Sequence, residues 1–409
     1  MKLIAPDSEV LKGAIILPAS KSICNRALII QALSSQEITL DNISKSIDSQ
    51  ILKELLISND KTLNCQMAGT TFRFLTAYFA QSNKEVVLTG SPRMLERPIA
   101  ELVDGLRILG ANIEYVEEEN FPPLQIKGNA LEGKKINLPD NVSSQFVSAI
   151  MLIAPMLKNP TEITLQSKIV SKPYIEMTAK VMQHFGATVI ILDDKINIKP
   201  IPYQKNNLFV EGDWSSAAFY YSLVALSEEA ELELSPLFDN SWQGDKVVEA
   251  IFYRLGVITS PTENGILLEK GKHIIDFLEY DFIDCPDLAQ VVMTTCVGLN
   301  IEGKFTGLET LHSKETDRIK AMQIELAKFG WKLEKDNEFY LLSKDYNSKS
   351  LSKIKISTYN DHRMAMAFAP LVLLHQELEI ENPNVVKKSN PDFWAHLEGL
   401  GFHVVNKKL

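Results

Sequence analysis

Ala100-Glu-Leu-Val-Asp-Gly-Leu-Arg-Ile-Leu109, then Gly110, then Ala111-Asn-Ile-Glu-Tyr115 holds the chain's architecture in one segment. Leu102, Val103, Leu106 and Leu109 recur at helical intervals. Glycine takes the left-handed conformation in which many helices end, so Gly110 reads as a helix stop and the residues behind it as a returning strand. The succession returns at 175–185 with Gly186, 246–255 with Gly256, 318–329 with Gly330 and 392–400 with Gly401. These glycines lie 76, 70, 74 and 71 residues apart. Ile319, Met322, Leu326 and Phe329 keep the helical spacing in the fourth copy. A sixth, weaker copy fits at 47–57, where the helix runs into Ser58-Asn-Asp60 with no glycine. Six units in 409 residues average roughly 68 residues each, a repeat architecture where length alone allows two or three conventional domains.

Further strands are expected at 84–89, 135–138, 162–165, 208–211 and 377–380, and a polar Ser/Lys-rich loop at 347–353. The class is therefore α/β with many strands. No G-x-G-x-x-G and no Walker A sequence occurs, which argues against a dinucleotide enzyme or a P-loop NTPase.

Hydrophobic residues at 45% and charged residues at 23% describe an ordinary globular chain. With 42 Lys+Arg against 52 Asp+Glu the net charge is −10, which argues against nucleic acid or an anionic membrane as a partner, since both need a positive field. Cys24, Cys65, Cys285 and Cys296 form no C-x-x-C pair and predict free thiols in a reducing compartment. The start, Met1-Lys-Leu-Ile-Ala-Pro-Asp7, has no apolar core of signal-peptide length. The longest apolar run, 364–374, is 11 residues broken by Pro370, whereas a membrane span needs roughly 20. The expectation is a soluble cytoplasmic protein.

The candidate chemistry shares one form, a polar and cationic loop at the start of a helix. Leu17-Pro-Ala-Ser-Lys-Ser-Ile-Cys-Asn-Arg26 brings hydroxyls, backbone N–H groups and two cations to a helix N-terminus, which suits an anion or simply caps the helix. Ala68-Gly-Thr-Thr-Phe-Arg73 lets backbone approach a ligand at Gly69. Gly90-Ser-Pro-Arg-Met-Leu-Glu-Arg-Pro98 carries two arginines whose planar forks match carboxylate or phosphate. Val142-Ser-Ser-Gln145 enters an apolar segment and needs partners, either a polyol or capping backbone. Lys314-Glu-Thr-Asp-Arg318 offers a Lys/Glu pair for proton transfer beside an anion clamp, or a solvated helix start. Asn360-Asp-His-Arg363 runs straight into an apolar helix, so its charges must be paired or face a cleft. Asp287 is an N-cap or a general base. If the six units share one topology, Lys21, Arg26, Arg97, Lys314, Arg318, Arg363 and Lys388 can collect in a cleft for a substrate with several negative charges.

These motifs, with Val170-Ser-Lys-Pro-Tyr174, Val210-Glu-Gly-Asp213, Gln243-Gly-Asp245 and Asn360-Asp-His-Arg-Met-Ala-Met366, occur in order from about 17 to 394 and resemble the 3-phosphoshikimate 1-carboxyvinyltransferase (EPSP synthase) family. The resemblance implies a two-domain inside-out α/β barrel of six βαβαββ-type units, three per domain, helices inside and sheets outside. It implies an N-terminal lobe of 19–213, on the shikimate 3-phosphate side. Residues 1–18 with 214–409 form a C-terminal lobe that completes the phosphoenolpyruvate site and closes on the substrates.

The implied reaction joins the enolpyruvyl group of phosphoenolpyruvate to the 5-hydroxyl of shikimate 3-phosphate, through a tetrahedral intermediate that eliminates phosphate. It needs no metal or organic cofactor, and the family expectation is a monomer. By similarity, Lys21, Ser22, Arg26, Ser143, Ser144, Gln145, Ser171, Tyr174, Asp287 and Lys314 hold shikimate 3-phosphate. Lys21, Gly69, Arg97, Gln145, Arg318, Arg363 and Lys388 hold phosphoenolpyruvate. Asp287 is the candidate base at the 5-hydroxyl, and Glu315 and Lys21 the candidates for proton exchange at the enol carbon. Gly69 beside that site implies inhibition by glyphosate. The chain departs from the family pattern at Met67 (usually polar), Phe74 (often Pro), Leu311-His-Ser313 (usually Trp/Leu-Arg-Val) and Asp48-Ser49 (usually Asp-Asp). Two readings compete. One is the sister UDP-N-acetylglucosamine 1-carboxyvinyltransferase, whose loop cysteine is missing from 90–98. The other is a non-catalytic relative of the same fold.

Overall fold

The computed structural model describes residues 1–139, 142–165, 171–347, 351 and 353–406. Val170 of the quoted Val-Ser-Lys-Pro-Tyr motif, and 348–350 and 352 of the polar loop, lie outside the described residues. The chain divides into two compact lobes, Ala19–Val210 (N-terminal) and Met1–Pro18 with Glu211–Leu409 (C-terminal). The second boundary falls three residues ahead of the 213 read from sequence. The first two strands, β1 (Lys2–Ile4) and β2 (Val10–Ile16), belong to the C-terminal lobe.

The N-terminal lobe opens with α1 (Lys21–Leu33), β3 (Thr39–Asp41) and α2 (Ile47–Ile57). A full βαβαββ unit follows: β4 (Thr62–Asn64), α3 (Gly69–Ala80), β5 (Glu85–Thr89), the single turn α4 (Pro92–Leu95), α5 (Ala100–Ile108), β6 (Asn112–Tyr115) and β7 (Leu124–Lys127). The next repeats it as β8 (Lys135–Leu138), α6 (Ser144–Ile153), β9 (Thr161–Leu165), α7 (Lys172–His184), β10 (Val189–Leu192) and β11 (Lys195–Ile198), before β12 (Asn207–Phe209) closes the lobe. The sheets run β4-β5-β7-β6 and β10-β11-β9-β8; the first two strands of each unit are parallel and the hairpin antiparallel. The third sheet has two strands, β12 parallel to β3.

The unit built on α1 and α2 is the smallest of the six, its sheet holding only β12 and β3. α2 ends at Ser58, whose backbone is extended, and the chain passes directly into β4, the first strand of the next unit. No strand of its own sheet follows α2 directly, so the left-handed glycine that returns the chain into such a strand is not needed, which is why the sixth copy was weak. The other five stops, Gly110, Gly186, Gly256, Gly330 and Gly401, all have φ between 78° and 101°. A Cβ at Gly110 would meet no neighbouring atom, so the backbone conformation alone demands glycine there.

In the C-terminal lobe β2 is followed, after the N-terminal lobe, by α8 (Trp214–Leu226), β13 (Glu229–Ser235), α9 (Val248–Arg254), β14 (Val257–Pro261) and β15 (Ile266–Lys270). Then come β16 (Phe277–Asp281), α10 (Ala289–Gly298), β17 (Glu302–Thr306), α11 (Arg318–Ala327), β18 (Trp331–Asp336) and β19 (Phe339–Lys344). The last unit is β20 (Lys355–Ile356), α12 (His362–Phe368), α13 (Val372–His375), β21 (Glu377–Ile380), α14 (Phe393–Gly399) and β22 (His403–Val405). Its fourth strand is β1, antiparallel to both β21 and β22, so the first strand of the chain completes the last sheet.

The first helix of each unit is apolar around most of its circumference and therefore goes inside. α6 is buried from Phe146 to Ile153, α8 over nearly its whole length, and α12 throughout. The sheets form the outer layer; on β13 the residues alternate exposed Glu with buried Ala and Leu. The four cysteines are buried free thiols, and burial pushes those of Cys65, Cys285 and Cys296 up to about 12. Among the described residues no helix is long and apolar enough to cross a membrane.

Candidate active site

Side-chain contacts tie together the first turns of the N-terminal lobe's helices. Ser20 caps α1 and places Lys21, whose ammonium is 3.2 Å from the buried Asp48 at the start of α2. Asp48 also accepts, through its backbone carbonyl, the Thr71 hydroxyl of α3 at 2.9 Å. The Asp48 that replaces a family Asp-Asp pair is thus the carboxylate that orients Lys21. Ser22 is half-buried on the same turn. Arg26, expected to contact shikimate 3-phosphate, is 2% exposed. Its Nε donates to Thr178 (2.7 Å), Nη1 to the Ser22 carbonyl (2.8 Å) and Nη2 to Ser148 and the Tyr174 carbonyl (both 3.2 Å). Phe74, in the place of a family Pro, lies under its guanidinium at 5.5 Å. Burial lowers the Arg26 pKa to about 10. Arg26 therefore binds α1, α6 and α7 into one bundle end.

The anion-binding expectation at Gly69 has a geometric counterpart. A Cβ there would stand 2.5 Å from Arg97 Nη1 and 3.2 Å from Arg73 Nη1. Two guanidinium groups thus crowd the bare Cα at the N-terminus of α3, where helix N–H groups also favour negative charge. Arg73, the last residue of the Ala68–Arg73 motif, donates to the Gly69 carbonyl and to Met94 Sδ, both at 3.1 Å. Met67 Sδ takes the Ser91 hydroxyl at 2.8 Å, so the residue that departs from the family pattern packs into the arginine-bearing loop. Ser143 caps α6, accepting the Gln145 amide at 3.3 Å, with Ser144 and Gln145 on the first turn. Ser171 sits in the left-handed region (φ 58°) as the residue before α7, and Tyr174 is half-buried one turn in.

The C-terminal lobe gathers the remaining candidates around one arginine. Arg318, the first residue of α11, is 2% exposed. Its Nε donates to Asp361 (2.7 Å), Nη1 to Asp287 (3.1 Å) and Nη2 to Glu315 (3.0 Å). Arg363 Nη2 is 2.9 Å from the Asp287 carboxylate, and its Nη1 is 2.9 Å from the Asp287 carbonyl. Lys388 Nζ is 2.5 Å from Glu315, and Lys314 Nζ 3.9 Å from Asp287. Four cations therefore meet three carboxylates. Burial favours a neutral Asp287, but Arg363, Lys314 and Arg318 outweigh it and hold the carboxyl far below its ordinary range. For Arg318 burial favours loss of the proton, and Asp361, Glu315 and Asp287 more than reverse this.

Sequence reasoning gave Asp361 no role. It is fully buried, binds Arg318 through both oxygens and caps α12 by accepting the Arg363 amide at 2.9 Å. Its position directly before an apolar helix was the available signal. Asp245 also went unassigned: it takes the Ser215 hydroxyl, and burial together with the Asp287 charge pushes its pKa up to about 7. Among the described residues no group of three or more His, Cys, Asp and Glu side chains could hold a metal ion.

Residues 44–397 match the profile of the family described as EPSP synthase (3-phosphoshikimate 1-carboxyvinyltransferase). The chain is 44% identical over 405 residues to a 3-phosphoshikimate 1-carboxyvinyltransferase of Bacteroides fragilis, covering 99% of both chains, and 36% identical to that of Pasteurella multocida, covering 94% of both. Among solved structures, an EPSP synthase of Acinetobacter baumannii superposes with a TM-score of 0.79 over 99% of both chains at 21% identity, a likeness of fold.

Proposed function

The chain belongs to the EPSP synthase family, and from that premise we propose how its residues carry out the transfer of the enolpyruvyl group of phosphoenolpyruvate to the 5-hydroxyl of shikimate 3-phosphate. The protein is a transferase of the shikimate pathway. The observation that supports the site reading is the cluster around Arg318: a base, an acid and four cations on the starts of three helices and one turn. In the N-terminal lobe, Lys21, Ser22, Ser143, Ser144, Gln145, Ser171 and Tyr174 hold shikimate 3-phosphate, with Arg26 supporting them from behind. Lys21, Gly69, Gln145 and Arg97 contribute to phosphoenolpyruvate, as do Arg318, Arg363 and Lys388 of the C-terminal lobe. Lys314 joins the shikimate 3-phosphate set.

Asp287 takes the 5-hydroxyl proton while the enol carbon gains one from Glu315 or Lys21. The C–O bond to the 5-oxygen forms; the new methyl group then returns a proton to Glu315 or Lys21 as the C–O bond to phosphate breaks, which restores the double bond and expels phosphate. With Arg363, Lys314 and Arg318 all turned on Asp287, that carboxylate is a weak base. An anionic substrate that takes up Arg363 and Lys314 removes two of those cations and raises its basicity where the hydroxyl arrives. Binding of the substrates and activation of the base are thus one electrostatic event. The reading further takes the protein to be cytoplasmic, monomeric and open to inhibition by glyphosate at Gly69. The test is phosphate release with both substrates present and none with either alone. Failure to release phosphate while both substrates bind would overturn it.

A further inference from the structure

The segment bearing Lys314 and Glu315 contains no helix or strand beyond the 3-10 turn Glu309–Ser313, and runs as a bend from there to α11. One side chain ties its two ends. His312 Nδ1 lies 3.0 Å from Asp317 Oδ1, across the bend, and His312 Nε2 lies 3.1 Å from the Tyr340 hydroxyl on β19. The same Asp317 oxygen caps α11, accepting the Lys320 amide at 3.1 Å. On the other side Leu311 is buried in the core. An ionised Asp317 only accepts, so Nδ1 carries the proton and Nε2 accepts from Tyr340; one neutral tautomer satisfies both contacts.

We propose that His312 is a positioning residue for the reaction: it closes the bend 312–317 and pins it to β19, so that Lys314 and Glu315 meet Asp287, Arg318 and Lys388 in a fixed geometry. The inference rests on the roles proposed above for Lys314 and Glu315. An unstapled bend would keep both residues but spread them over many conformers. The distances at stake are 3.9 Å from Lys314 to Asp287 and 3.0 Å and 2.5 Å from Glu315 to Arg318 and Lys388. Small displacements of this kind act strongly on rate because catalytic groups must be held near their reacting geometry.

The experiment compares wild type, His312→Ala, His312→Gln, Tyr340→Phe and the double variant by steady-state kinetics in both substrates and by thermal unfolding. His312→Ala should lower kcat/KM by about ten- to a hundredfold. His312→Gln, which can donate from its amide nitrogen and accept on its oxygen, should recover most of that loss. Tyr340→Phe should lower kcat/KM less, and the double variant should be no worse than His312→Ala. Wild-type kcat and KM in His312→Ala, even with a lowered unfolding temperature, would reduce His312 to a structural residue and overturn the inference. Independent, additive losses would overturn the pin to β19. Wild type in the same assay separates the two claims: turnover in wild type with no effect of the variants sinks this inference alone, whereas no turnover in wild type sinks the functional reading and this inference with it.

Discussion

Gly69→Ala tests the proposed phosphoenolpyruvate site with a single methyl group. Its Cβ would stand 2.5 Å from Arg97 Nη1, where ordinary contact begins at 3.4 Å, so the guanidinium must withdraw by about 0.9 Å or the start of α3 must shift. Arg73 Nη1, at 3.2 Å from the same point, narrows the escape on its side. The new methyl adds no charge, and the bond from Arg73 goes to the Gly69 carbonyl and not to its Cα. The effect therefore falls on where the Arg97 fork lies. A misplacement of about 1 Å in a positioning group can cost up to ~10²-fold, so the KM for phosphoenolpyruvate should rise roughly ten- to a hundredfold. The KM for shikimate 3-phosphate should change less than about twofold, since Lys21, Ser22 and the α6 cap are untouched. Glyphosate, if it shares that site, should lose potency in parallel. Phosphate-release kinetics with each substrate varied in turn decides the matter. An unchanged phosphoenolpyruvate KM, or equal rises for both substrates, would refute the placement of Arg97.

Other expectations concern the buried carboxylates. Asp361→Ala strips Arg318 of its fully buried partner and should destabilise the protein by roughly 3–5 kcal/mol, read by chemical denaturation; a loss under about 1 kcal/mol would show that Asp287 and Glu315 suffice. Asp245 has a folded pKa raised to about 7, so the folded state holds its proton more tightly and wild type should lose stability as pH rises from about 4 towards 7. Asp245→Asn should remove that slope, gaining on the order of 1–4 kcal/mol over wild type near pH 8; parallel stability curves for the two proteins would contradict it. Glu315→Gln should lower kcat by about 10²–10⁴-fold while titration calorimetry still detects both substrates, and a kcat within about threefold of wild type would remove Glu315 from proton transfer.

Much of this was legible in one dimension. The helix–glycine–strand period exposed five of the six units because each needs a left-handed residue where its second helix turns back into a strand of the unit's own sheet, opening a hairpin in four of them and pairing with β1 in the last, and that demand is local. The sixth was faint for an equally local reason, since α2 leads into β4 with no hairpin between them. The candidate site residues stood out as residue types, because cations and hydroxyls at helix starts suit anion binding. Their partners were not. Asp361, Asp48 and Asp245 lie 43, 27 and 30 residues from Arg318, Lys21 and Ser215, the groups they bind. Arg26 read as a substrate ligand from its type and place, and that reading did not disclose that its guanidinium also bonds α1, α6 and α7.

The sequence by itself determined the repeat, the buried first helix of each unit and the family, because periodicity, glycine stops and ordered motifs are properties of neighbouring residues. Only the tertiary structure decided which carboxylate faces which cation, that β1 completes the last sheet, and that His312 bridges Asp317 and Tyr340. Charge pairing depends on distance through space, and in a chain that brings helix starts together from units about 70 residues apart, no local pattern encodes that distance.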